Sequence, residues 1–415
     1  MTRQRRVVIT GLGVVTALGI DPNTYWDNLV NGRSGIRRIA GFDTTRHTCK
    51  IAGEIVDFNP DLFIDPKVSK RLDRFSQFAL VAAMGAVKVS GMDFSKEDRS
   101  RCGVIVGSGI GGLLEIEAQH LRMLKRGPNR ISPLMIPKLM INAASGQISI
   151  HYGLLGPNTA VASACASAAH ALGEAAEVIM RDEADVMISG GAEAAITPLA
   201  VAGFSAQKAL SARNDEPERA SRPFDKDRDG FVLSEGAGIL VLEEYEHARK
   251  RGAEILAEFL GYGASADAYN IVAPHPDGEG AALAMRSALK NARLNPDQID
   301  YINAHGTSTP LGDEAETLAV KKVFGDYAWK VPISSTKSMT GHLLGASAGA
   351  EMVATVHTVH KNIIHPTINL ETPDEKCDLD YVPGHARERK VTNALCNSFG
   401  FGGHNACLCI GKLRD

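Results

Sequence analysis

Short runs rich in β-branched residues alternate with alanine-rich stretches along the whole of this 415-residue chain. RRVVITGLG, CGVIVGSG, TAVASA, ADVMISGG, GILVLEE, EILAEFLGYG, YINAHG, VPISST and ACLCIGK read as strands, and the segments between them carry helical patterns. Strands separated by helices predict an α/β fold. The pattern also echoes itself. VIVGSGIGG (104–112) precedes TAVASACASAAHALGEAAEVIM (159–180), and YINAHGTSTPLGDEAE (301–316) precedes PISSTKSMTGHLLGASAGAEMVATVHTV (332–359). Each pair is a strand and loop followed by a strand that runs into an Ala/Gly-rich helix, so two similar halves are expected, 1–250 and 251–415.

Composition narrows the class of protein. With 44% apolar residues and a formal net charge of −3, nothing calls for nucleic-acid or membrane binding. Seven cysteines form neither a disulfide framework nor a CxxC zinc pair, which suits a reducing compartment. The basic start followed by VVITGLGVVTALG is broken by Thr10, Gly11 and Gly13 and reads as a strand and turn rather than a leader. The chain is therefore expected to be cytoplasmic. Its 41 glycines exceed the usual share of about 7%, so tight turns or close backbone approaches recur.

Two motifs imitate ligand sites. Gly107-Ser-Gly109-Ile-Gly-Gly112 has the GxGxxG form, but the region where a dinucleotide fold needs an acid reads LKRGPNRIS. Asp225-Lys-Asp227-Arg-Asp229-Gly230 begins like a calcium loop, yet its twelfth position is Gly236 and no helix-forming stretch precedes it. The first reads as a packing turn and the second as a hydrogen-bonded loop.

Cys165 stands where β-rich residues give way to a helical run, among Ala164, Ala166 and Ser167. A helix N-terminus stabilises a thiolate, and small neighbours admit a substrate. A lone cysteine is otherwise a small buried hydrophobe. His305, in NAHGTSTP, and His342, in KSMTGHLLGASAG, lie at comparable strand-to-helix passages and could converge with Cys165 on one point. His357, His360 and His365 lack such a setting and read as helix-surface or loop residues.

Together these motifs resemble the condensing enzymes of the thiolase superfamily, nearest to the elongating type II β-ketoacyl-acyl carrier protein synthases. The resemblance runs from VVITGLGVVTALG through the block around Cys165, RPFDKDRDGFVLSEGAG (222–238), NAHGTSTPLGDEAE and KSMTGHLLGASAGAE to NSFGFGGHN (397–405). It implies a five-layered αβαβα fold made of two duplicated halves, a homodimer, no cofactor and no metal. A starter-type synthase would carry Asn in place of His342. A thiolase would carry a second cysteine in the glycine loop Phe399–Gly403.

By this resemblance Cys165 accepts the acyl group from an acyl carrier protein, and His305 and His342 donate N–H bonds to the malonyl thioester oxygen as carbon dioxide leaves. Lys337 is expected to support His342, with Glu351 balancing its charge and Asp313 as a further supporting residue. Backbone N–H groups of Cys165 and Phe401 would form a second oxyanion hole, with Phe401 also gating the acyl site. Thr307, Thr309, Phe399 and Gly402 match pantetheine and substrate positions, Ile110 and Phe204 the acyl pocket. Lys67, Lys70, Arg71, Lys208 and Arg213 would dock an acidic carrier protein.

The chain also departs from the family pattern. Leu134 and Met135 replace an aromatic pair, and Lys138 and Ala143 replace apolar, often Met, residues near the end of the acyl tunnel. Val272 replaces a Thr that contacts pantetheine, removing a hydrogen bond worth about 0.5–1.5 kcal/mol. The implied activity is chain elongation in fatty acid biosynthesis. A condensing enzyme of a specialised lipid or polyketide route has the same chemistry, and a non-elongating carrier-binding scaffold is the alternative of another class.

Overall fold

The computed structural model describes residues 5–414. Ten strands form its main sheet: β1 (Val7–Val15), β2 (Cys102–Gly107), β3 (Asn158–Val161), β4 (Val186–Glu193), β5 (Gly236–Glu244), β6 (Ala257–Ala266), β7 (Tyr301–Asn303), β8 (Ile333–Ser334), β9 (Asn393–Gly400) and β10 (His404–Gly411). Nine coincide with the nine apolar runs. The other, β9, reads NALCNSFG and contains no β-branched residue, so its sequence carries little strand signal.

The strand order is β8-β7-β9-β10-β6-β1-β5-β4-β2-β3. Within each half it is third, second, fourth, fifth, first, with the same pattern of parallel and antiparallel pairings. The halves join where Val7, Val8 and Ile9 of β1 pair antiparallel with Phe259, Glu258 and Ala257 of β6. The duplication read from the echo is thus present in the topology.

Seven helices place the layers: α1 (Arg74–Ser90), α2 (Leu113–Arg126), α3 (Ala143–Tyr152), α4 (Ser167–Met180), α5 (Glu279–Ala292), α6 (Pro310–Phe324) and α7 (Ser347–Lys361). α1 and α3 cover the outer face of the first half's strands, and α5 covers the second half's, backed by α6. α4 and α7 touch strands of both halves and lie between them. This makes five layers, αβαβα. The central helices are rich in alanine because each is sandwiched. Ala168, Ala169, Ala171, Ala348 and Ala350 are all buried in one cluster with residues of β1, β5, β9 and β10, where larger side chains would not fit.

The segment that imitates a calcium loop is a buried strap. Asp225 is fully buried and accepts from Arg222 Nε (2.9 Å), Glu371 N–H (2.8 Å) and Thr372 N–H (2.7 Å). Arg228 reaches Thr309 O and Pro310 O at 3.2 and 2.8 Å. The strap therefore clamps the start of α6 and the loop that carries Thr307 and Thr309.

Candidate active site

Cys165 lies in the passage from β3 to α4. Ala164 takes φ 51° and Ala166 is the helix N-cap, a strained turn of the kind found at functional sites. Ser167 fastens it, accepting from Ser163 N–H at 2.9 Å and donating to Ala164 O at 2.7 Å. Gly400 packs its backbone against the same turn. A Cβ there would stand 2.8 Å from Ser163 O and 3.1 Å from Cys165 N, so only glycine fits. Ser398 Oγ donates to Cys165 O at 2.9 Å, and the N–H groups of Phe401 and Cys165 are hydrogen-bonded toward the thiol.

His305 follows β7, and the N–H groups of His305 and Gly306 donate to the Glu316 carboxylate of α6 at 2.9 and 2.8 Å. His342 is held through its backbone, donating to Val232 O at 2.7 Å and accepting from Ser234 N–H at 2.9 Å. The two imidazole rings stand nearly perpendicular, 5.4 Å apart.

Their rear contacts fix the tautomers. Leu344 N–H donates to His342 Nδ1 at 3.2 Å, so the proton of a neutral His342 resides on Nε2. Ser347 Oγ lies 2.8 Å from the same Nδ1. Lys337 Nζ stands 3.4 Å from His305 Nδ1 and donates to buried Glu351. A lysine ammonium only donates, so His305 also carries its proton on Nε2. Lys337, expected beside His342, makes its contact with His305, while Ser347 and Leu344 contact His342, which Lys337 influences through its charge.

Burial governs the protonation states. It holds His305 well below the ordinary imidazole value, helped by Lys337 and His342, and it does the same to His342, helped by Lys337. Both rings are neutral donors at pH 7. Burial pushes the Cys165 thiol up to about 11, against the lowering pull of Lys337 and the two N–H groups. Desolvation is the largest influence on the thiol and opposes the ionised form.

A cavity of about 490 Å³ opens on this centre. Cys165, His305, His342, Thr307, Thr309, Phe399, Phe401, Ile110, Phe204 and Val272 all line it. Thr307 and Thr309 bond each other at 2.9 Å. Gly402 is absent from the lining, and its N–H donates to Ile271 O at 2.8 Å. Lys337, Glu351 and Asp313 lie behind the wall. Asp313 accepts from Phe224 N–H and Ser308 N–H at 2.8 and 3.1 Å, and burial raises its carboxyl to about 7.

Lys67, Lys70 and Arg71 are exposed, and Lys208 stands at the cavity mouth. Arg213 is partly buried and tied to Asp227 O at 2.6 Å, so it is less free than the other four. Lys138 pairs with Glu115 at 3.0 Å; Leu134 is partly exposed on the same stretch as Met135. His357 and His365 are not surface residues. His357 stacks on Trp26 with ring centres 5.3 Å apart, and fully buried His365 meets Tyr301 Oη at 3.0 Å.

Glu193 is a residue that motif spacing does not reveal. This fully buried carboxyl, raised by desolvation, accepts from Ser108 Oγ, Gly109 N–H, Ile110 N–H and Gly345 N–H at 2.7–3.2 Å. It ties the loop beside Cys165 to the other half. The available signal is an acid ending the apolar run of β4.

Known proteins share this fold. Residues 4–248 match the family model "Beta-ketoacyl synthase, N-terminal domain" and residues 256–371 match "Beta-ketoacyl synthase, C-terminal domain". The chain is 50% identical to the 3-oxoacyl-[acyl-carrier-protein] synthase 2 of Coxiella burnetii, over 99% of this chain and 100% of that one. It is 50% identical to the Synechocystis protein of the same name, over 99% of each. Among solved structures, a β-ketoacyl synthase from Burkholderia phymatum superposes with TM-score 0.92 at 38% identity, over 99% of this chain and 100% of that one. A ketosynthase in complex with its type II polyketide acyl carrier protein, bound to a hexaketide, superposes with TM-score 0.92 at 36% identity and the same coverage. With both halves matched and relatives at half identity along nearly its whole length, the chain belongs to the β-ketoacyl synthase family of condensing enzymes.

Proposed function

We propose that this enzyme extends an acyl chain by two carbons in fatty acid biosynthesis, condensing an acyl group held on Cys165 with a malonyl group carried by acyl carrier protein. The carrying observation is the pair of neutral imidazoles beside Cys165, each with its Nδ1 occupied from behind. Cys165 sulfur attacks the acyl thioester, and the carrier thiol leaves with the proton. The malonyl thioester then loses carbon dioxide, and the electron pair of the broken C–C bond forms an enolate. Nε2–H groups of His305 and His342 stabilise its oxygen. Each such preorganised donor is worth about 2.7–4 kcal/mol.

The enolate carbon attacks the acyl-Cys165 carbonyl. Negative charge on that oxygen meets the N–H groups of Cys165 and Phe401, and collapse breaks the bond between the acyl carbon and the Cys165 sulfur, releasing the 3-oxoacyl carrier and leaving a thiolate that takes a proton from solvent. Lys337, charge-balanced by Glu351, keeps His305 in the donating tautomer. Asp313 and Glu316 hold the loop from His305 to Thr309. Thr307, Thr309, Phe399 and the Gly402 turn surround the pantetheine arm, and Ile110 and Phe204 flank the acyl group. Lys67, Lys70, Arg71 and Lys208, with a lesser part for Arg213, attract the acidic carrier.

The enzyme acts as a homodimer. Two features support this: β3 is an edge strand paired only with β2, and Leu121, Leu124, Ile136 and Ile150 are 54, 68, 58 and 74% exposed on the described chain. The halves divide near residue 250, in keeping with the break between the two family matches. Seven buried, unpaired cysteines favour a cytoplasmic location.

Product analysis by mass spectrometry tests the function. Acyl carrier plus malonyl carrier should yield a 3-oxoacyl carrier two carbons longer than the primer, and a Cys165→Ala variant should yield none. Condensation by that variant would overturn the assignment.

A further inference from the structure

The turn that carries Cys165 and the turn that follows His342 are built alike. Each central helix begins on a buried serine, Ser167 in α4 and Ser347 in α7, three residues after the left-handed Ala164 or Leu344. Their hydroxyls differ in what they bind. Ser167 Oγ accepts from Ser163 N–H at 2.9 Å and donates to Ala164 O at 2.7 Å, so it fastens its own turn. Ser347 Oγ instead lies 2.8 Å from His342 Nδ1, its only hydrogen bond among the described residues. The second turn is fastened from outside: Gly345 N–H donates at 3.0 Å to Glu193 Oε2, at the end of β4 in the other half. Ser347 is thereby free to serve the imidazole.

A neighbouring amide sets the direction of this bond. Leu344 N–H already donates to Nδ1 from 3.2 Å, so that nitrogen presents a lone pair and the serine hydroxyl must donate as well. At 2.8 Å against 3.2 Å, the hydroxyl makes the closer contact of the two. Ser347 is absent from the cavity lining, so whatever it contributes to the reaction passes through His342.

We propose that Ser347 is a positioning residue for decarboxylation: its hydroxyl occupies His342 Nδ1 and keeps the ring proton on Nε2, where it serves the enolate oxygen. Donation into Nδ1 also draws electron density from the ring and strengthens Nε2–H as a donor, because linked hydrogen bonds polarise one another. The two histidines are therefore backed by different means. His305 has a cation behind it, Lys337 Nζ at 3.4 Å, and that charge needs buried Glu351 as its partner. A hydroxyl polarises His342 without burying a further charge. The inference rests on the condensing-enzyme reading and names the group behind one of its two enolate donors.

The test compares full-length Ser347→Ala and Ser347→Thr with the native protein and follows the two half-reactions separately. Acyl transfer is read as the Cys165 adduct by intact mass, and decarboxylation as carbon dioxide released from malonyl carrier. In Ser347→Ala, carbon dioxide release should slow about three- to tenfold, the effect of one neutral hydrogen bond, while acyl transfer stays within about twofold of native. Ser347→Thr keeps the hydroxyl and should restore carbon dioxide release. An undiminished rate in Ser347→Ala overturns the proposal, and so does an equal loss of both half-reactions, which marks a merely structural serine. A folded Ser347→Thr no faster than the alanine variant overturns it too. Where alanine prevents folding, Ser347→Gly also lacks the hydroxyl and gives the same readout. A native protein that releases no carbon dioxide from malonyl carrier would instead overturn the condensing-enzyme reading, and the role of Ser347 with it.

Discussion

Ala164 and Leu344 occupy equivalent places in the two halves. Each has a left-handed backbone, φ 51° and 49°, and each stands two residues ahead of the N-cap of a central helix. The residue that follows is Cys165 in one half and Gly345 in the other. A Cβ on Gly345 would press on Gly109 N and come within 2.7 Å of Glu193 Oε2. The duplicated fold therefore has room for one nucleophile, and the second half contributes histidines instead.

That crowding is measurable. Gly345→Ala forces the side chain against backbone rather than against a movable tip, and overpacking of this kind costs about 1–3 kcal/mol. The variant should show a lower urea midpoint with an unchanged slope.

Replacing His305 or His342 by Ala should separate the two half-reactions. Loss of one enolate donor should slow decarboxylation about 10²–10³-fold, while transfer of the acyl group to Cys165 continues. Release of labelled carbon dioxide and the mass of the Cys165 adduct, followed together, check this. Equal loss of both steps would place the histidines in nucleophile activation instead.

Lys337 should matter both to stability and to chemistry. Lys337→Met leaves Glu351 buried without its cation, which costs about 3–5 kcal/mol. A Lys337→Met/Glu351→Leu double variant should recover most of that stability in urea unfolding. It should not recover condensation, because His305 Nδ1 has lost the group facing it.

A pH effect arises far from the active site. His247 lies between Glu243 (2.6 Å) and Glu97 (2.8 Å), and the Glu243 hydrogen bond is the chief reason its pKa is raised to about 8. A folded-state value above the unfolded one stabilises the protein in full below about 6.5, and that contribution is lost as pH rises through about 8. Denaturant midpoints at pH 6 and pH 8.5 should therefore differ less in a His247→Gln variant than in the native protein.

The sequence makes some of this legible and hides the rest for physical reasons. Strands announce themselves where β-branched residues cluster, as in β1, β2 and β5, whereas β9 is specified by its neighbours β7 and β10 and by burial. Cys165, His305 and His342 sit in contiguous motifs at strand ends, so their meeting could be anticipated from the repeated halves. Lys337 is different: its choice of His305 over His342 depends on how two loops from separate motifs cross. His357 and His365 read as helix-surface or loop residues because the sequence does not show that Trp26 and Tyr301 pack against them and bury them. The pairing of Lys138 with Glu115 joins residues on two separate elements, and spacing along the chain does not encode it.

The central claim is that Cys165 carries the acyl group and that the neutral histidines consume it with malonyl carrier. Intact mass spectrometry of the protein with a short acyl carrier, before and after malonyl carrier is added, tests it most directly. The account predicts one acyl adduct on Cys165 that disappears as carbon dioxide and a 3-oxoacyl carrier are formed. An adduct elsewhere, or one on Cys165 that is released as free acid without carbon dioxide, would contradict it.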